Sequence, residues 1–329
     1  MNWARLGLLA ATVVGLAVAC WTVGAAGAHQ VFAAMTAIGW TGMAAFLGCS
    51  VVVMFLVGAA WLAAAPGQPV GRLPLFTWAR MTREAAADVL PFSQLGGLVV
   101  GARTLAGRGV SDPVIYASMI ADMSMEMAAQ LLFTLAGLAT LLAVTTNAGV
   151  DAGIVPLAVG GMGISFAFML IFWIGQRPLL KLAGAAAARM LPGSAATLAA
   201  VQERLGETYR SRGHMAVSFA FNFAAWTGSA VTAWVALRFM GSTAPLWGVI
   251  AVEALIFTLR SVAFFVPGAV GVQEVAYTLI GPLFGLPPTT ALALSLLKRA
   301  RDLIVGVPAI LIWQAGEVGA LARKRAEAA

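Results

Sequence analysis

Apolar residues fall along this chain in long blocks, not at the period of a surface helix. Stretches 37–64, 113–145, 153–175, 214–240 and 289–316 are each near or above the ~20 residues a helix needs to cross a bilayer. The opening stretch 1–26, "MNWARLGLLAATVVGLAVACWTVGAA", has a signal-peptide outline, with Arg5 ahead of an apolar centre and small residues near Cys20. Its apolar part is long enough to span, and more spans follow, so it reads as the first of six. Barrel strands would instead alternate in short segments. The pattern predicts an all-α, polytopic integral membrane protein.

Two further apolar stretches fit neither span nor loop. "PFSQLGGLVVGARTLAGRGV" (91–110) is punctuated by Pro91, Gly96 and Gly97, and "VPGAVGVQEVAYTLIGPLFGLPP" (266–288) by Pro267, Gly268 and Gly271. Both read as broken or re-entrant elements, with an ordinary kinked helix as the plain alternative. Non-helical backbone persists at membrane depth only where protein or a water-filled cavity satisfies its amide groups, so such breaks tend to line a site. The two stretches align without a gap at an offset of 176 residues, placing Pro91 on Pro267, Gly109 on Gly285, Ala117 on Ala293 and Glu126 on Asp302. Span 37–64 then overlies 214–240. Three crossings between those two spans reverse their direction, which predicts inverted-topology repeats with a site at their interface. The expected organisation is repeat one over 1–145, a connecting helix and cytoplasmic amphipathic segment over 146–213, and repeat two over 214–320. A chance match of a few Pro and Gly residues is the competing account.

Composition narrows the class. Of 329 residues 61% are hydrophobic and 10% charged, and the mean hydropathy is +0.91, far from the soluble range. The net charge of +7 does not point to nucleic acid, because the basic residues lie between apolar runs and no nucleic-acid motif accompanies them. Segment 27–36 has no Lys or Arg, 65–112 has five, 146–152 none and 176–213 six. The positive-inside rule then puts both termini, 65–112 and 176–213 in the cytoplasm. Cys20 and Cys49 sit in apolar runs and read as small buried hydrophobes, while His29 and His214 stand alone. Neither a disulfide, a metal site nor another cofactor is expected.

Charges inside apolar runs carry the candidate chemistry. In "ALALSLLKRARDLIVGVPAILIWQ" (291–314), Lys298, Arg299, Arg301 and Asp302 share a helical arc of about 160°. The run from Leu303 to Gly316 is too short to cross alone, so these charges belong in the membrane. There each costs on the order of 2.5–3.5 kcal/mol unless it faces a cavity or a partner. Snorkelling of Lys298 and Arg299, with Asp302 paired locally to Lys298, is the bland alternative. Ser118, Asp122, Glu126 and Gln130 repeat every four residues on one stripe, and Glu253 and Arg260 share a face, with Glu274 after the Pro-Gly break. The 176-residue offset lays Asp122 over Lys298, which predicts an acidic stripe meeting the basic arc, Asp122 against Lys298 or Arg301, with a basic arc left open to an anionic head group as the alternative. Asn222, Trp226 and Trp234 read as packing or interfacial residues.

"PFSQLGG", "FFVPGAVGVQE" and "LPPTTALALSLLKRARDLIVGVP" resemble the lysylphosphatidylglycerol synthase transmembrane-region family, in particular its hopanoid-biosynthesis-associated branch. The resemblance is strongest over 91–130 and 257–313. It implies a multi-pass protein of the bacterial inner membrane with flippase-like lipid handling, a polycyclic terpenoid lipid or its precursor as cargo, and lipid-biosynthesis enzymes as partners. The chain departs from the family at Ala269, where relatives often carry glycine after Pro-Gly, and near Asp122, where they often carry a basic residue. Only 317–329 follow the last span, so the aminoacyl-transfer domain of some relatives is not expected, nor is lipid aminoacylation. Translocation of a membrane lipid accounts best for the breaks and charges together. An intramembrane lipid-modifying enzyme would use Asp122, Glu126, Glu253 or Glu274, and a scaffold would need no internal charge. No feature of the sequence fixes an oligomeric state.

Overall fold

A 25-residue segment without a single charge, Gly39–Ala63 (α2), has nothing to keep it in water and forms one unbroken helix. Val51, Val52 and Phe55 stand bare on its outer side, as expected for a face turned to lipid. The computed structural model describes residues 28–89, 93–148, 194–262 and 269–328, with isolated positions between 156 and 178. Expected spans 1–26 and, isolated positions apart, 153–175 lie outside the described residues, as do Pro91, Pro267 and Gly268. Among the described residues the chain is helical, with no strand. Around α2 the helices are α1 (Ala28–Thr36), α3 (Leu73–Val89), α4 (Ser93–Ala106), α5 (Asp112–Ala148), α6 (Ser194–Arg210), α7 (Arg212–Phe239), α8 (Leu246–Val262), α9 (Val272–Ile280) and α10 (Pro288–Ala328).

Three of these are long and apolar enough to cross a membrane: Gly39–Ala63, Asp112–Ala143 and Pro288–Gly319. The expected spans 37–64, 113–145 and 289–316 coincide with them. α7 has the length, at 28 residues, but carries Arg212, His214, Asn222 and Arg238. The two expected breaks are parts of helical hairpins. In the first half α3 packs on α4; in the second α8 packs on α9, which gives way to a 3₁₀ turn, Gly281–Phe284. The segment 65–112, expected between spans, contains the helix 73–89, on which Phe76, Ala79, Arg80 and Thr82 are buried.

Small residues set the closest helix contacts, as they do where no hydrophobic driving force separates helix from lipid. A Cβ on Gly97 would lie 2.5 Å from the Arg83 carbonyl oxygen, and one on Gly101 would lie 3.1 Å from Arg83 Cβ, so α4 rides directly on the backbone of α3. A Cβ on Gly137 would meet Ala254 Cβ at 2.5 Å where α5 crosses α8. The contacts also exchange between halves: α2 packs along α7, α5 on α8 and α10 on α3. Of the cytoplasmic segment expected at 176–213, α6 docks on α5. There Tyr209 Oη lies 2.7 Å from Ser124 Oγ, and Arg204 donates to the Pro66 carbonyl.

The long helices begin 176 positions apart, at Asp112 and Pro288. Each follows a left-handed glycine three positions earlier, Gly109 at φ 77° and Gly285 at φ 80°. Neither has an atom within 4 Å of a would-be Cβ, so conformation alone demands glycine there. Gly109→Ala and Gly285→Ala should each cost about 1–2 kcal/mol. Thermal unfolding in detergent would measure this, and a neutral outcome at both would remove the positive-φ requirement.

Candidate functional site

α8 and α10 both pack on α9, and their buried polar groups meet beside it. Lys298 Nζ lies 2.5 Å from Glu253 Oε2 and donates to Tyr277 Oη at 3.0 Å, while Tyr277 donates to Glu253 Oε1 at 2.5 Å. All three are buried. The ammonium also stands 4.9 Å from the centre of the Phe257 ring. A lysine and a glutamate this far from water persist because each supplies the other's counter-charge and the tyrosine takes up a remaining hydrogen bond.

The next residue of α10, Arg299, closes on Glu274 with a hydrogen bond from Nε to Oε1 and another of 3.1 Å from Nη2 to Oε2. Arg299 Nη2 also donates to the Ala269 carbonyl at 3.2 Å, and the Gly271 amide donates to Glu274 Oε2 at 2.7 Å. The same carboxylate therefore caps the first turn of α9 and fixes α10 to the break. The backbone there is special: Gly271 sits at φ 83°, and Ala269 at φ 49° holds a left-handed conformation that favours glycine. Gln273 donates to Ser295 Oγ at 2.9 Å and ties α9 to α10 once more. Arg301 pairs with its neighbour Asp302 at 2.6 Å and lies over the Phe46 ring of α2. Arg260 is half-buried on α8 and has no ion-pair or hydrogen-bond partner among the described residues.

A second network lies in the first half. Arg80 on α3 reaches Asp122 at 2.9 Å, Glu126 at 2.5 Å and Glu84 at 3.0 Å. Asn222 of α7 donates to the other Asp122 oxygen at 3.1 Å. Arg83 lies 3.7–4.0 Å from the same three carboxylates, but its Nη1 makes no hydrogen bond. Arg80 and Asp122 are buried, whereas Glu126 and Glu84 are partly open. Of the acidic stripe, Ser118 accepts a hydrogen bond from Trp61 Nε1 at 3.1 Å.

The networks correspond in place and reverse in sign. Arg80 is seven residues past the start of α3 and Glu253 seven past the start of α8; Asp122 is ten past the start of α5 and Lys298 ten past the start of α10. Cation and anion exchange helices between the halves.

Several expectations, and one alternative reading, come out differently. Asp122 does not meet Lys298 or Arg301; it is held by Arg80 and Asn222, and Lys298 by Glu253. Asp302 pairs with Arg301 instead of Lys298. Asn222, read as packing, belongs to the first network. Arg80 and Arg83, counted as loop charges, are buried, which leaves Arg72, Arg103 and Arg108 of the five basic residues in 65–112. Gly96 and Gly97, expected to interrupt the chain, instead lie within the continuous helix α4, where glycine allows the close approach to α3. Among the described residues no cluster of three or more metal-ligating side chains occurs.

No curated protein matches the chain, and neither does any solved structure. One family model, described as the lysylphosphatidylglycerol synthase TM region, matches residues 7–309. That match embraces α1 to α9, both ion-pair networks and the break between α8 and α9, and the chain accordingly belongs to the lysylphosphatidylglycerol synthase transmembrane-region family.

Proposed function

We propose that this protein carries a membrane lipid between leaflets, with the two helical hairpins as halves of an inverted repeat whose interface forms the path. The observation that carries this reading is the pair of buried networks, Arg80–Asp122 and Glu253–Lys298, at like positions in the two halves with opposite sign. Buried charge in a membrane is expensive, and a protein that only spanned or scaffolded would gain nothing from it. Exchange of partners between halves, α5 on α8 and α10 on α3, is what two repeats rocking about a shared interface would use. The carboxylates Asp122, Glu126, Glu253 and Glu274 are each held by an arginine or lysine, so none stands ready as a general base. Lipid movement fits them better than lipid chemistry.

On this reading the chain sits in a bacterial inner membrane with both termini cytoplasmic, and a polycyclic terpenoid lipid or its precursor is the cargo suggested by the hopanoid-associated branch. Lipid-biosynthesis enzymes are then its neighbours. Purified protein in liposomes should accelerate leaflet exchange of a fluorescent lipid relative to empty liposomes. Folded protein that moves no lipid among phospholipid, terpenoid and sterol-like probes would overturn the proposal.

A further inference from the structure

The first network holds more acid than base. Its two cations, Arg80 and Arg83, face three carboxylates, Glu84, Asp122 and Glu126, whereas Lys298–Glu253 and Arg299–Glu274 in the second half match one to one. Neighbouring helices do not offset the excess. Arg204 of α6 is paired with Glu207, Arg103 of α4 with Glu317 of α10, and Arg301 of α10 with Asp302. α2 carries no charge. Glu203, Arg210, Arg212 and His214, on α6 and at the start of α7, are exposed. Arg260 of α8 belongs to a different level: Thr258 is hydrogen-bonded to Thr134, eight residues, or about 12 Å, along α5 from Glu126.

Polar groups around the cluster also lack protein partners. Arg83 is buried, and its Nη1 points at Asp122 from 3.9 Å without a hydrogen bond. Thr77, one turn before Arg80, and Ser218, one turn before Asn222, are buried hydroxyls with no hydrogen-bond partner among the described residues. Buried polar groups are nearly always bonded, so these three mark places for water beside the carboxylates. A surplus carboxylate at such a place is disfavoured as an anion, and carboxylate chains inside membranes commonly relay protons. Guanidinium groups within 4.0 Å of all three acids repel a metal cation; a proton needs no such cage. The geometry also offers it an atom. Asp122 uses both oxygens, Oδ2 to Arg80 and Oδ1 to Asn222, whereas Glu126 gives Oε1 to Arg80 and keeps Oε2 3.7 Å from Arg83. Glu126 and Glu84 are the partly open members, 22% and 39% exposed, and so form the way in. We infer that the first network is a proton site, in which water delivers one proton past Glu84 to form an O–H bond at Glu126 Oε2, and that its uptake and release are coupled to lipid movement. Arginine at the other oxygen does not block this, because three carboxylates share two guanidinium groups. The inference rests on the lipid-carrying reading and adds to it the source of energy.

The test uses the full-length protein in detergent and in liposomes. Infrared difference spectra taken across neutral pH in detergent should show a carboxylic-acid C=O band that grows as pH falls. Glu126→Gln should remove it, and Glu84→Gln, which takes away a neighbouring negative charge, should move its midpoint to lower pH. Glu207→Gln, at an exposed position on α6, should leave it unaltered. Both network variants restore two cations against two carboxylates, so neither should lower the melting temperature; if Glu126→Gln does not fold, Glu84→Gln carries the test. In liposomes containing the phospholipid, terpenoid and sterol-like probes, each unit of pH gradient should shift the leaflet ratio of a carried lipid by up to about tenfold. A sodium gradient should not. No titrating band, or a band unchanged in both network variants, overturns the proton site. A leaflet ratio indifferent to the pH gradient, or driven by sodium in its place, overturns the coupling. The lipid-carrying reading fails separately: a band lost in Glu126→Gln, with no exchange of any probe, removes transport and keeps the proton site.

Discussion

Arg80→Leu should lower stability by about 3–5 kcal/mol, the usual result of leaving a buried charge without its partner. Arg80 is the hub of the first network: it touches Asp122, Glu126 and Glu84, which sit on two helices, and a third helix joins through Asn222. Its loss leaves Asp122, fully buried, with one amide hydrogen bond and an arginine 3.9 Å away. Arg83→Leu removes a guanidinium that touches the same carboxylates only at 3.7–4.0 Å, and it should cost clearly less. Thermal unfolding in detergent separates the two. If Arg83→Leu proves the costlier, the hub is misassigned. A cycle between Asp122→Asn and Lys298→Met should be additive within about 0.5 kcal/mol, because the two groups belong to different networks.

That last expectation marks where the sequence misled. The 176-residue offset was legible from a few prolines and glycines, and the helices begin at matching positions, down to the left-handed Gly109 and Gly285. What did not follow was contact. Placing Asp122 over Lys298 suggests that acid and base meet, yet positions related by a repeat occupy equivalent surroundings and each needs its own counter-charge. Those counter-charges lie on the first helix of each hairpin. Glu253 was visible because its flanks are apolar. Arg80 was hidden, because "LPLFTWARMTREAAADV" carries four charged residues in seventeen and resembles a solvated connection by composition alone. A usable signal was present: Arg80, Arg83 and Glu84 share a helical face at i, i+3 and i+4, and Phe76 and Ala79 precede them. Lys298 and Arg299 each have a carboxylate partner, and those partners, with Tyr277, are separated by 21 to 45 residues and depend on tertiary packing that no local pattern encodes.

Lys298→Met should cost about 3–5 kcal/mol, while Lys298→Met combined with Glu253→Gln should recover most of it. The single change leaves Glu253 fully buried with a tyrosine hydroxyl for company and no cation in contact. Uncompensated charge, not the lost bond, dominates that cost, since replacing both members of a buried pair by neutral groups of like volume is often neutral or better. Glutamine keeps the shape of Glu253 and accepts from Tyr277; methionine fills the stem of Lys298 against Phe257. The coupling energy read from the four proteins by thermal unfolding should therefore be several times the additive limit of about 0.5 kcal/mol. Arg260 and Arg301 sharpen the expectation, because both charges act on Lys298. If either swings in to replace Lys298 against Glu253, the single variant will lose little and the double variant will be no better. Adding Arg260→Gln to Lys298→Met distinguishes that rescue from a pair that never mattered. A further loss means Arg260 had taken over the carboxylate; no change means the Glu253–Lys298 pair does not hold α8 to α10.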